Sequence, residues 1–295
     1  MPKLLLCCGV SGSGKSTYAK ELVSQGWGEV NRDEWRFKLF TNGEKDWSKY
    51  KFTKEREKLV TEYCNSTFDG WVSLGVNIVV SNTNLNQIDH NYWRAKAEEV
   101  GYDFEVKYFP ILLEEALKRD QKRGALSVGR EVLFKQWKKW LEITNYKRYV
   151  PDTSKPKVFI VDIDGTIALT NGRSHYDYSE KVTTDKLRQD VMELIESFCY
   201  TKDASIILLS GRDDICRQDT INWLNFWHVD YLELHMRKNG DNRSDRLVKE
   251  EIFWEHIEPR FNVLAAFDDR PRIVRLWKDI GIPLVVDVCK TYEEF

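Results

Sequence analysis

Apolar residues along this chain alternate between two patterns. Short unbroken runs, such as Leu4–Cys8 and the Val76, Ile78, Val79 and Val80 of Gly75–Ser81, read as strands buried on both faces. Elsewhere the apolar positions are spaced among polar ones. Tyr50–Trp71, with Leu59, Tyr63 and Phe68, predicts a helix, as do Thr17–Val23 and Ile88–Val100. A strand follows at Asp103–Phe109, then helices at Glu114–Arg123 and Arg130–Leu141 around a bend containing Gly124. The segment 148–157 breaks the alternation with two prolines and small polar residues, and reads as a linker. The alternation then restarts. Strands are predicted at Val158–Val161, Ser205–Leu209, Val263–Phe267 and Pro283–Val288. Helices are predicted at Leu187–Cys199, Thr220–Phe226, Leu247–His256 and Pro271–Ile280. The expected class is α/β, with two domains (1–147 and 158–295), each a mainly parallel sheet flanked by helices. No internal repeat or low-complexity tract interrupts either half.

Composition narrows this picture only a little. The 295 residues suit two domains, and 42% hydrophobic with 31% charged residues suits a folded globular chain. No apolar run is long enough to span a bilayer, so no membrane role is expected. The apolar Leu4–Cys8 runs straight into a glycine loop without a small-residue cleavage site, which favours a first strand over a secretory signal. Six cysteines without a CxxC pair point to a reducing, cytosol-like compartment. The net charge of −2 conceals an asymmetry: residues 1–155 carry 26 Lys/Arg against 21 Asp/Glu, and residues 156–295 carry 19 against 26. A basic first half can attract phosphate backbone, and acidic residues around a metal would account for the second.

The first chemical signal is Gly9-Val-Ser-Gly-Ser-Gly-Lys15-Ser16, which matches GxxxxGK[ST] between a predicted strand and a predicted helix. Its glycines let backbone N–H groups curl around phosphate oxygens at a helix N-terminus. Gly9, Gly12, Ser13, Gly14, Lys15, Ser16 and Thr17 are the expected nucleotide contacts, with Lys15 on the β/γ-phosphates and Ser16 on Mg²⁺. The motif does not separate a kinase from an NTPase. In Asn31-Arg-Asp-Glu-Trp-Arg36, Asp33 can serve as general base for an attacking hydroxyl and Arg36 can hold a substrate phosphate, or the segment is a solvated helix start. Arg119 and Arg123, four apart, share a helical face and can clamp a transferring phosphoryl group, or form an ordinary solvated face.

The second signal is Val161-Asp-Ile-Asp-Gly-Thr166. Asp162 can attack phosphorus to form an aspartyl-phosphate, and Asp164 can protonate the leaving oxygen and then assist water. A cation such as Mg²⁺ is needed to offset repulsion between a carboxylate and a phosphate dianion. The residues that follow do not supply the further acidic positions of a calcium loop. Ser210, Gly211 and Arg212 end a predicted strand where a phosphate oxygen could be held. Lys249, on a predicted helix, could steady the phosphoryl group, and Asp268 with Asp269 make a metal anchor alongside Asp162 and Asp164. Each has an ordinary structural explanation alone; together they fall at strand ends, where α/β folds place ligands.

The order GVSGSGKS, NRDEWR, SNTNLN (Ser81–Asn86), KRDQKRG (Lys118–Gly124) resembles the polynucleotide 5′-kinase/3′-phosphatase family of bacteriophages, across nearly the whole chain. The DxDGT, SGR, lysine and DD elements resemble haloacid-dehalogenase-type phosphatases and match the second half of the same family. The resemblance implies a P-loop kinase fold followed by a haloacid-dehalogenase-like fold, using ATP and Mg²⁺. It implies phosphorylation of 5′-hydroxyl ends of RNA or DNA and removal of 3′-phosphates, preparing ends for a separate ligase. It further implies a homotetramer in the cytoplasm of an infected host cell. By the same resemblance Asp33 is the kinase base, Arg36 contacts the acceptor's 3′-side phosphate, and Arg123 contacts the γ-phosphate from a lid beside Arg119. Arg173, Arg212, Asp245 and Lys249 organise the phosphate and the nucleotide end, with Arg243 near the substrate. One position departs from the family: Asn82 stands where an acidic residue is expected between Ser81 and Thr83, removing a charge from the kinase site. A metabolite kinase fused to a small-molecule phosphatase is the competing enzyme reading, and a catalytically inert end-binding module the non-enzymatic one.

Overall fold

A computed structural model describes residues 1–170 and 180–289. Two compact units divide the chain, Met1–Tyr146 and Lys147–Phe295. Among the described residues no helix is long and apolar enough to cross a membrane.

The first unit runs β1 (Lys3–Cys8), α1 (Lys15–Ser24), β2 (Gly28–Val30), α2 (Arg32–Phe40), α3 (Lys54–Ser73), β3 (Ile78–Val80), α4 (Gln87–Glu99), β4 (Asp103–Tyr108), α5 (Leu113–Gln121) and α6 (Arg130–Ile143). Its sheet is parallel in the order β2-β3-β1-β4. The unbroken apolar run of β1 is explained by its position inside this sheet. Leu4 and Leu6 pack with Val60, Phe68 and Trp93 on one face, while Leu5 and Cys7 pack with Ala19 and Leu22 on the other. β2 has only three residues, one of them Gly28, and leaves no apolar run to read in the sequence.

The second unit runs β5 (Lys157–Val161), β6 (Ala168–Leu169), β7 (Lys186–Leu187), α7 (Gln189–Lys202), β8 (Ser205–Asp213), α8 (Arg217–Phe226), β9 (Glu233–Arg237), α9 (Asp245–Ile252), β10 (Asn262–Asp268), α10 (Pro271–Ile280) and β11 (Leu284–Asp287). Five strands form a parallel sheet in the order β11-β10-β5-β8-β9, and β6 pairs with β7 as a small antiparallel hairpin. The chain leaves β5 towards β8 and β9, then returns to β10 on the other side. The crevice at the carboxyl ends of β5 and β10 is therefore a topological switch point, the usual ligand position in an open α/β sheet. Segment 148–157 lies within this unit: the Tyr149 hydroxyl accepts from Val263 N at 2.7 Å and donates to Asn262 at 3.2 Å.

Candidate functional site

The first candidate site opens at the end of β1. Gly14 caps α1 with φ of 100°, a backbone that side-chain-bearing residues rarely adopt, and this turn aims the first N–H groups of α1 into the open. Lys15 is buried. Its ammonium donates to Val10 O at 2.7 Å and Ser13 Oγ at 3.3 Å, and burial pulls it down to about 8. A desolvated ammonium held by neutral acceptors beside a helix N-terminus favours an anion such as a phosphate. Ser16 and Thr17 are exposed in the first turn of α1.

A cleft of about 960 Å³ joins this cradle to Asp33 and Arg36. Asn31 caps α2 by accepting from Asp33 N and Glu34 N at 2.9 and 3.2 Å, which sets Asp33 on the first turn. Asn82 accepts from Arg32 N at 2.8 Å. A neutral carbonyl thus does positional work at the departing site, while contributing no charge. Arg36 donates to Asp33 Oδ1 at 2.6 Å and to both oxygens of Glu57 at 3.0 and 2.6 Å. Glu57 also accepts from Arg32 at 2.9 Å and the Tyr50 hydroxyl at 2.8 Å. Burial alone would raise the Glu57 carboxyl, but the Arg36 and Arg32 bonds outweigh it and hold it down at about 2.

Arg119 and Arg123 line the same cleft. Arg119 bonds Glu115 and the Gly12 carbonyl at 2.8 and 3.2 Å. Arg123 reaches Asp120 at 3.3 Å, and buried Asp120 also takes Ser127 Oγ, Val128 N and Gly129 N at 2.6 to 3.1 Å. One carboxylate therefore folds the turn that presents Arg123. The arrangement can hold a polyphosphate between Lys15 and Arg123, with a hydroxyl at Asp33 and a second phosphate at Arg36.

The second candidate site sits in the crevice between β5 and β10. Lys249, buried on α9, donates to Asp162 Oδ1 at 2.7 Å and Asp268 Oδ2 at 2.8 Å. Burial disfavours its charge, yet these two carboxylates prevail and hold the ammonium above its ordinary range. Oxygens of Asp162, Asp268 and Asp269 lie within 4.8 Å of one another. Burial and neighbouring Asp268 push Asp269 up to about 6, and its Oδ1 is buried without a hydrogen-bond partner. Crowded carboxylate oxygens with one orphaned lone pair fit a hard divalent cation such as Mg²⁺. Gly165 lets the loop close over this group: its φ is 82°, and a Cβ there would lie 2.0 Å from Asp269 Oδ2.

Other expected contacts stand elsewhere. Asp164 is not in the three-carboxylate group, because Arg212 grips both its oxygens at 2.8 and 2.9 Å. Arg212 is fully buried and also bonds Asp185 at 2.9 Å, so it stands behind Asp164 instead of reaching a substrate. Asp245 is likewise buried, bonding Arg237 at 3.2 Å and Arg270 at 2.9 Å. Ser210 is buried with its Oγ accepting from Arg212 N at 3.1 Å, and the Gly211 carbonyl accepts from Arg237. Arg243 is spent at the surface on Asp241 and Glu251. Arg173 lies outside the described residues.

Residues 156–290 match the family described as the polynucleotide kinase PNKP phosphatase domain, and residues 4–144 match an AAA domain family. A protein of Autographa californica nuclear polyhedrosis virus, named as a bifunctional polynucleotide kinase/RNA ligase, is 40% identical over 99% of this chain. The second half of the chain thus matches a polynucleotide kinase phosphatase-domain family and the first half an AAA domain family. The chain spans 43% of that viral relative's length. A solved chain from the Pnkp1/Rnl/Hen1 RNA repair complex is 27% identical, covering 97% of this chain and 96% of its own, with a TM-score of 0.44. A second, from a Pnkp1/Rnl/Hen1 complex, is 28% identical, covering 100% and 98%, with a TM-score of 0.47. Sequence reasoning missed Glu57, Asp120 and Asp185. Each is an acidic residue in a polar stretch, and only the fold shows it bonding to an arginine of a site.

Proposed function

We propose that the chain heals nucleic-acid ends: the first unit phosphorylates 5′-hydroxyls with ATP, and the second hydrolyses 3′-phosphates. The carrying observation is that one cleft holds the phosphate-loop Lys15 together with Asp33 and Arg36, a donor subsite facing an acceptor subsite. Asp33 takes the hydroxyl proton as the oxygen attacks the γ-phosphorus, and the bond to the β-phosphate oxygen breaks towards ADP. Lys15 and Arg123 stabilise the transferring group, Arg119 supports the lid, and Arg36 holds the acceptor's 3′-side phosphate. Gly9, Gly12, Ser13, Gly14 and Thr17 complete the cradle, and Ser16 would hold its Mg²⁺.

In the second unit Asp162 attacks phosphorus, forming an aspartyl-phosphate while the 3′-oxygen leaves with a proton from Asp164. Asp164 then takes a proton from water, which releases inorganic phosphate. Lys249 fixes Asp162 and balances charge. Mg²⁺ bound by Asp162, Asp268 and Asp269 would neutralise the approaching dianion. The products, a 5′-phosphate and a 3′-hydroxyl, are what a polynucleotide ligase joins, so a ligase is the expected pathway partner. Six free cysteines accord with a reducing cytoplasm.

The test offers the protein 5′-hydroxyl and 3′-phosphate oligonucleotides beside a panel of small metabolites, with Lys15→Ala and Asp162→Asn in parallel. Oligonucleotide turnover is expected, with Lys15→Ala losing only the kinase and Asp162→Asn only the phosphatase. Turnover confined to metabolites would overturn the reading.

A further inference from the structure

Beside Arg36 the first unit exposes an aromatic surface that the reaction just described does not use. Phe52 keeps 61% of its area open, the largest exposure of any Phe in this unit. It lines the same cleft as Asp33 and Arg36, and so does Trp47. The two rings are stacked, with centroids 5.8 Å apart and planes 21° apart. They are not loosely attached. Trp47 packs on buried Phe37 at 4.7 Å, and buried Tyr50 stands edge-on to Phe52 at 4.8 Å. The Tyr50 hydroxyl is tied to Glu57, the carboxylate that also fixes Arg36. The Arg36 guanidinium carbon lies 5.4 Å from the Phe52 centroid.

A stiff, exposed ring on a pre-built aromatic base, next to the guanidinium that the kinase reading assigns to the acceptor phosphate, is the combination that binds unpaired nucleotides. Aromatic faces stack bases of any identity, and the cation holds the backbone. We infer that Phe52, backed by Trp47, is the stacking platform for an unpaired base flanking the phosphate held by Arg36. The inference rests on the kinase reading above and deepens it, because it makes the acceptor a single-stranded or frayed 5′ end. A base held in a duplex cannot lie on this ring without unstacking from its neighbours. The bland alternative is that Phe52 only buttresses Arg36 through their cation–π contact.

The test measures the full-length protein, wild type, Phe52→Ala and Phe52→Tyr, on 5′-hydroxyl single strands that are intact or abasic at the first, second or third nucleotide. Phe52→Ala should raise the acceptor KM roughly tenfold, with the KM for ATP and the 3′-phosphatase rate unchanged, and Phe52→Tyr should stay within about twofold of wild type. An abasic site at the first or second nucleotide should cost the wild type a similar factor, and Phe52→Ala should be indifferent to it. A Phe52→Ala loss that persists undiminished on every abasic strand would assign Phe52 to supporting Arg36 and overturn the platform. So would a wild-type enzyme indifferent to all three abasic positions, a result that does not require the variant to fold. A wild type that phosphorylates no oligonucleotide at all would instead overturn the kinase reading, and the platform with it.

Discussion

Single charged side chains decide both sites, and the decisive ones are the partners of the residues that react. Arg36 is aimed by Glu57, which accepts from two arginines and a tyrosine. Its carboxyl lies at about 2, against an ordinary 4.5, because the hydrogen bonds outweigh the opposing cost of burial. Between those values the unfolded chain binds a proton that the folded chain does not. Glu57 therefore contributes stability above about pH 4.5, and the contribution is lost as pH falls towards 2. Glu57→Gln should cost on the order of 2 kcal/mol at pH 7 and flatten the acid limb of stability across that window. Urea denaturation of both proteins between pH 2 and 7 reads this directly; parallel pH profiles would show that Glu57 carries no such linkage. In the second unit the comparable partner is Arg212. Its two bonds to Asp164 fix the orientation of that carboxyl group beside Asp162.

At the scale of elements, the sequence was legible where an element is buried on both faces or carries a motif, and less so at edges. β1 and β5 stood out as apolar runs because helices cover each side of their sheets. β9 lies at a sheet edge with only alternate residues buried, so it left a weak pattern. The glycine loop and DxDGT could be read because their chemistry is contiguous. The Glu57–Arg36 contact could not, since it joins residues 21 positions apart, and neither could Arg212–Asp185, 27 apart. α2 is the element on which the proposed kinase chemistry would depend. Its Asn31 cap satisfies two N–H groups and also donates to Ser81 at 2.9 Å, joining the helix to the end of β3. Asn31→Ala should cost about 1 kcal/mol of stability. It should also lower the kinase kcat more than it weakens ATP binding, because Asp33 sits on the uncapped turn while Lys15 does not. Calorimetric ATP titration beside steady-state rates separates the two effects. Loss of ATP affinity with unchanged kcat would refute this division of labour.

For the whole molecule, the boundary between units governs what can be cut apart. Proline content suggests that 148–157 is a linker, whereas the fold ties part of it into the second unit. Tyr149 is buried against Phe253 with ring centroids 5.6 Å apart. Its hydroxyl satisfies the buried Val263 N–H at the start of β10, the strand that ends in Asp268. Its backbone N–H reaches the Ile280 carbonyl at the end of α10 at 2.8 Å. A fragment of residues 147–295 keeps all of these contacts, and a fragment of residues 158–295 loses them. Removing the ring opens a cavity beside Phe253 and leaves a buried N–H unpaired; Phe/Trp→Ala losses of about 3–5 kcal/mol set the scale, with roughly 1–3 kcal/mol more for the lost partner. That sum is a large fraction of the stability of an ordinary domain. The longer fragment should therefore fold cooperatively and hydrolyse 3′-phosphates at close to the full-length rate. The shorter one should unfold at markedly lower temperature or fail to fold. Tyr149→Phe in the full chain isolates the hydroxyl, and should lower only the phosphatase-unit transition while leaving 5′-phosphorylation intact. Calorimetry of the two fragments and the point variant, read with both activities, makes the comparison. Equal stability of the two fragments would show that Tyr149 is a passenger on the second unit, and would return 148–157 to the role of a linker.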